Sequence, residues 1–157
     1  MTKSTANLSA YARLLREKKS RLLAKQSPVA FTNVVPIPGK PVVEDEYAWL
    51  DEPLEQTVSA HHYMMLDTLQ RISDGTYLHE GERVRNCMIF MPPGSAKSTY
   101  ASAVFPAWYL GANPTKQIIL ASYGSDLARK FGRKARKICD SDEYRAIFET
   151  GIKSDQK

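Results

Sequence analysis

A lysine followed by a hydroxyl residue at the start of a helix can hold a phosphate group. Lys97 and Ser98 stand in that order within "MIFMPPGSAKSTYASAVF", residues 88–105. The lysine would reach the β and γ oxygens of a nucleotide, and the hydroxyl would ligate Mg²⁺. Around the anion, successive backbone N–H groups must turn inward and the positive end of a helix dipole must face it. The standard pattern for such a loop is G-x-x-x-x-G-K-[ST]. Anchored on Lys97 and Ser98, its glycines would fall where this chain has Met91 and Ala96. Gly94 is free to take positive φ, Pro92 and Pro93 stiffen the entry, and Ala96 adds one methyl group. The candidate cradle is the backbone of Gly94, Ser95, Ala96 and Lys97, with Ser98 as the metal-binding hydroxyl and Thr99 competing for that role. The competing structure is a plain strand–turn–helix connection with Lys97 in solvent.

Elements must position that loop. Residues 84–91, "VRNCMIFM", form a short apolar run before it, expected as a buried strand, and residues 117–122, "QIILAS", are expected as a second. A helix should start near Lys97 and be ended or kinked by Pro106. Residues 57–72 have helical spacing, with Val58, Met65, Leu69 and Ile72 on one stripe, and "SDGT" at 73–76 is a turn signal. Helices are also expected over 124–138 and from "SDEYRAIF". Strand–loop–helix–strand–helix is the grammar of a parallel α/β sheet. Upstream, residues 8–26 read as a basic amphipathic helix with Ser9 as cap and Leu14, Leu15, Leu22 and Leu23 as its apolar side. A linker rich in proline follows, with Pro28, Pro36, Pro38 and Pro41. The first 50 or so residues are expected to form an arm and linker apart from the core.

The 157 residues suit one domain of ordinary size, and the net charge of +5 favours an anionic partner. Cys87 and Cys139 are far apart and make neither a disulfide framework nor a zinc motif, which fits a reducing cytosol. His61, His62 and Cys87 do not have metal-site spacing. No signal-peptide core opens the chain, and no apolar run approaches the roughly 18–20 residues that span a bilayer.

The segment "MPPGSAKSTYASAVFPAWYLGANPTKQIILASYGSDLARKFGRKARKI" closely resembles the start of the ATPase in tailed-phage terminase large subunits. The resemblance lies in Pro92–Pro93, Lys97–Ser98, Phe105–Trp108, Ile118–Tyr123 and the basic helix Leu127–Ile138, in that order. It extends through "SDEYRAIF" and upstream to "SAHHYMMLDTLQRI", about residues 55–157. It implies a P-loop NTPase fold of the packaging-motor type, with a parallel sheet, after an arm and linker over 1–55. It implies ATP and Mg²⁺ as cofactors and double-stranded DNA as a partner. The portal protein, the small terminase subunit and other large-subunit copies would be further partners, in the cytoplasm of a host bacterium. The family loop often reads Pro-Pro-Arg-His-Gly-Lys-Ser; here Gly94, Ser95 and Ala96 take the Arg, His and Gly places. An adenine pocket would involve the 57–66 helix, with His62 as a candidate.

ATP hydrolysis also needs carboxylates that hold the metal and orient the attacking water. In the family they end a later apolar strand as Asp-Glu, and nothing after Lys97 has that form. Asp140, Asp142 and Glu143 read as a helix start, and "VVEDE" at 42–46 lies in the linker. No residue is therefore assigned to catalysis. The chain looks like the N-terminal piece of such a protein, without its nuclease domain. The alternatives are a DNA- or partner-binding remnant with a vestigial loop and a small-molecule kinase, though the chain shows neither a kinase lid nor an acceptor pocket. On helix 124–138, Leu127, Phe131, Ala135 and Ile138 make the buried stripe. Arg129, Arg133 and Arg136 lie opposite, where they could meet DNA phosphates, and Lys130, Lys134 and Lys137 share a flank.

Overall fold

The computed structural model describes residues 3–38 and 58–149, with side chains from residue 9 onward. Helix α1, Lys3–Gln26, is a run without Gly or Pro, rich in good helix formers. It begins before Ser9, so Ser9 lies inside it and does not cap it. Pro28 stops it, because the residue before a proline is pushed out of helical geometry. Ser27 is extended at φ −138°, and Pro28 opens the short helix α2, Pro28–Thr32. Helix α3 spans Ala60–Asp74, and a two-residue hairpin follows, β1 (Leu78–His79) against β2 (Glu82–Arg83).

The next helix begins as α4, Lys97–Thr99, passes through a π segment, Tyr100–Val104, and continues as α5, Phe105–Ala112. Helices α6, Ser125–Asp140, and α7, Asp142–Phe148, complete the described chain. Ser141 caps α7, its hydroxyl accepting from the Tyr144 N–H at 3.2 Å. No helix among the described residues is long and apolar enough to cross a membrane.

The core is helix against helix. Phe31 of α2 meets Tyr144 edge-on at 6.0 Å and Phe148 at 5.8 Å. Leu66, Val104, Ala107, Trp108, Ile138 and Ile147 are buried in the same cluster. Gly111 is required for this packing, since a Cβ there would overlap the Phe148 ring. The end of α1 is fastened by remote donors. Trp108 Nε1 donates to the Ala24 carbonyl at 3.1 Å, and Gln70 Nε2 to the Gln26 carbonyl at 2.8 Å. These bonds satisfy carbonyls that a helix C-terminus leaves without internal partners.

This architecture corrects the expected parallel α/β sheet of the P-loop NTPase type. Among the described residues the single sheet is the two-stranded antiparallel hairpin. Residues 84–91 and 117–122 form no ladder, and no apolar side chain in them is fully buried: Ile89 and Met91 pack against the core only in part, while Met88 is 80% exposed, Phe90 82% and Ile119 92%. A buried strand needs hydrogen-bonded neighbours and a covered face, and here the helices cover one another instead. The start of the chain also differs from an arm apart from the core. Ala24, Phe31, Val35 and Ile37 are fully or almost fully buried, whereas Leu14, Leu15, Leu22 and Leu23 of α1 are exposed. The linker is described as far as residue 38, whereas Pro41 and the stretch 42–46 lie outside the described residues.

Tyr144 ties α7 to α5 by donating to the Ala107 carbonyl at 3.1 Å. Burial, with Cys139 beside it, pushes its phenol well above the ordinary value of 10.0. The unfolded chain therefore gives up that proton first. The stabilisation is full below about pH 10 and is lost as pH climbs beyond it. Tyr144→Phe should cost about 1 kcal/mol at neutral pH through the lost bond. In denaturant melts, the gap between wild type and Y144F should shrink from about pH 9 to about pH 11. A gap that stays constant would show that burial does not hold the phenol protonated.

Candidate phosphate-binding loop

The loop 92–96 connects the extended segment 84–91 to the helix that starts at Lys97. A turn bond from the Ser95 N–H to the Pro92 carbonyl, 3.3 Å, closes it. Gly94 takes φ +82° and Ala96 φ +54°, ψ +13°. A left-handed residue followed by a right-handed one aims successive N–H groups at one point, the concavity known as a nest. Ala96 and the helical Lys97 form that pair. The first N–H groups of the helix have no intrahelical partner and add to the same cradle.

Lys97 is half-buried and reaches back across the loop, its Nζ donating to the Met91 carbonyl at 3.1 Å. Ser98 is exposed at the helix start, and Thr99 is half-buried. Beside them lies a cavity of about 210 Å³ lined by Ile89, Lys97, Ser98, Ala101 and Ser102. The sequence-predicted cluster Gly94 to Thr99 is therefore contiguous around a helix start. An ammonium and an exposed hydroxyl are the chemistry that triphosphate and Mg²⁺ would require, so the residues fit both groups.

The helix does not end or break at Pro106. The Phe105 N–H bonds to the Tyr100 carbonyl, five residues back, and this wider π register precedes the proline. Proline cannot donate to the carbonyl four residues before it and clashes with it. The π segment absorbs that misfit, so α5 continues and buries Pro106, Ala107 and Trp108.

The sequence offers His62 as a candidate for an adenine pocket. It is 7% exposed. Its Nε2 lies 2.7 Å from the Ser95 carbonyl and its ring stacks on Tyr100. The signal was in the spacing: His62 precedes Met65, Leu66 and Leu69 by three, four and seven residues, which places it on the buried stripe. Next to it, a cavity of about 330 Å³ lies between α3 and the segment 87–91, with Met64, Met65, Tyr77 and Phe90 among its walls.

The acids lie elsewhere. Asp140 and Asp142 each approach Arg145 at 3.9 Å, and Glu143 faces Arg13, Arg16 and Arg21 of α1 across a shallow cavity. On α6, Arg129, Arg133 and Arg136 are exposed, opposite the buried Ala135 and Ile138. Arg129 also pairs with Asp126 at 2.9 Å. Lys134 departs from the expected flank of lysines. It is buried, and that burial, followed by the nearby Lys130, holds its ammonium below the ordinary value.

No family model, curated protein or solved structure matches the chain.

Ala96 occupies a backbone region that costs a side chain about 1 kcal/mol and a glycine almost nothing. Ala96→Gly should leave stability unchanged or raise it by up to about 1 kcal/mol. Ala12→Gly, inside α1, should lower stability by about 1 kcal/mol. Equal losses in urea melts of both variants would show that Ala96 is not left-handed.

Proposed function

We propose that the chain binds a nucleoside triphosphate through residues 94–99 and serves a DNA-packaging motor of the terminase kind. One observation carries the nucleotide half: the left-handed Ala96 leads directly into a helix whose first residues are Lys97 and Ser98. The resemblance of residues 55–157 to terminase large subunits supports the motor half. In this proposal the Lys97 ammonium exchanges the Met91 carbonyl for β and γ phosphate oxygens. The amides of Gly94 to Lys97 surround the phosphates, and the Ser98 hydroxyl holds Mg²⁺, which neutralises phosphate charge when bound. The exposed arginines of α6 meet duplex phosphates without reading sequence.

A second proposal is a binding role without turnover, and the lining of the cavity beside Lys97 favours it. Its five residues include no carboxylate. Positioning and electrostatics supply nearly all the acceleration of phosphoryl transfer, so a missing water-orienting group costs orders of magnitude in rate.

Calorimetry should find Mg·ATP binding that Lys97→Ala weakens at least about tenfold, the scale of a charged contact. Equal affinities would remove the nucleotide assignment. Phosphate release by the wild-type chain should not exceed that of Lys97→Ala. A Lys97-dependent rate near ~1 s⁻¹, within the ordinary enzyme range, would instead place a catalytic carboxylate at the loop. For DNA, changing Arg129, Arg133 and Arg136 together to Gln should lower the salt slope of duplex binding by about 2 to 3, near 0.9 per phosphate contact. An unchanged slope would make the stripe a solvated face.

A further inference from the structure

Helix α3 reaches the loop through one side chain. The His62 ring lies on Tyr100 with centroids 4.0 Å apart and planes 23° apart. Its Nε2 is 2.7 Å from the Ser95 carbonyl oxygen. A carbonyl oxygen only accepts, so Nε2 carries the proton and donates it. His61 Nε2 stands 3.0 Å from the same nitrogen and is then restricted to accepting as well. Nδ1 of His62, buried without a partner, is the bare nitrogen of this tautomer.

The consequence falls on the next amide. Across a trans peptide the C=O and N–H point in opposite directions, and no cis bond occurs among the described residues. With the Ser95 carbonyl turned toward α3, the Ala96 N–H is turned away from it. That N–H belongs to the left-handed residue of the nest. The turn bond at Ser95 engages its N–H, leaving the carbonyl to His62.

We propose that His62 is a positioning residue for the loop. Its Nε2–H locks the Ser95–Ala96 peptide so that the Ala96 amide is presented to an anion, and its stack on Tyr100 registers that lock against the first turn of the helix. The purpose of the lock rests on the nucleotide proposal above; the lock itself does not. Ser95 and Ala96 contribute backbone to the cradle, and His62 decides which way that backbone faces.

Three variants of the full chain separate the parts. His62→Phe keeps a ring on Tyr100 and loses the donor. His62→Gln carries an amide donor at nearly the reach of Nε2, and His62→Asn carries one a methylene short of it. Hydrogen exchange without ligand is followed at the Ser95 and Tyr100 amides, which donate to the Pro92 and Ala96 carbonyls, with α6 amides as the reference for global folding. Inorganic pyrophosphate affinity is measured by calorimetry. The expected result is exchange about tenfold faster at Ser95 and Tyr100 in the Phe variant, with α6 unchanged, and pyrophosphate binding weaker by about the same factor, the scale of one lost hydrogen bond. The Gln variant should restore both. Should the Phe variant unfold, the Asn variant makes the same comparison. Loop exchange and affinity at wild-type values in the Phe or Asn variant overturn the proposal. A wild-type chain that binds no pyrophosphate overturns the nucleotide proposal and the purpose of the lock, while the exchange rates still decide whether His62 holds the loop.

Discussion

The hydrogen bond from His62 to the Ser95 carbonyl ties the loop to α3. The segment before the loop forms no ladder, so strand pairing cannot set the loop's geometry. Gly94, which has no side chain, leaves the loop backbone a point at which it can turn. A buried donor on a packed helix removes that freedom. Because His62 shares its helix face with Met65 and Leu66, its position follows from the same burial that holds α3 in the core. The loop is therefore as well ordered as the packing of α3.

On the other side the loop depends on how its helix accommodates proline. Pro106 lies in the middle of residues 97–112, where an ideal α-helix could not accept it. The π segment widens the helix by one register step and keeps the axis continuous. Through that step Tyr100 stays stacked on His62 while Trp108 reaches the end of α1. One helix thus carries Lys97 and Ser98 at its start and core residues at its end. Gly111 lets it lie close enough to α7 for the Phe148 ring to pass over it.

The helices were legible because their apolar residues recur at helical spacing. Arg129, Arg133 and Arg136 on α6 fall opposite the buried side as the periodicity requires, and Met65 and Leu69 face inward on α3. The order of Lys97 and Ser98 after a loop was legible from residue types alone. The two apolar runs were misread, because a short run of Val, Ile, Met and Phe has the same appearance whether or not a neighbour pairs with it. Pairing is a tertiary fact, and beyond one bond from Val84 to the Tyr77 carbonyl neither 84–91 nor 117–122 joins a ladder. Phe31 was passed over because prolines surround it, yet Pro28 starts a helix turn that drives its ring into the core. A histidine's polarity masks the helical spacing that puts His62 on the buried stripe.

The central claim is that residues 94–98 form an anion cradle whose backbone is set by the fold. Amide chemical shifts followed during a pyrophosphate titration of the ¹⁵N-labelled chain test it most directly. The account predicts saturable shifts concentrated at the amides of Gly94, Ser95, Ala96, Lys97 and Ser98, with smaller ones at His62 and Tyr100. Shifts confined to the basic surfaces of α1 and α6, with the loop amides unmoved, would contradict it.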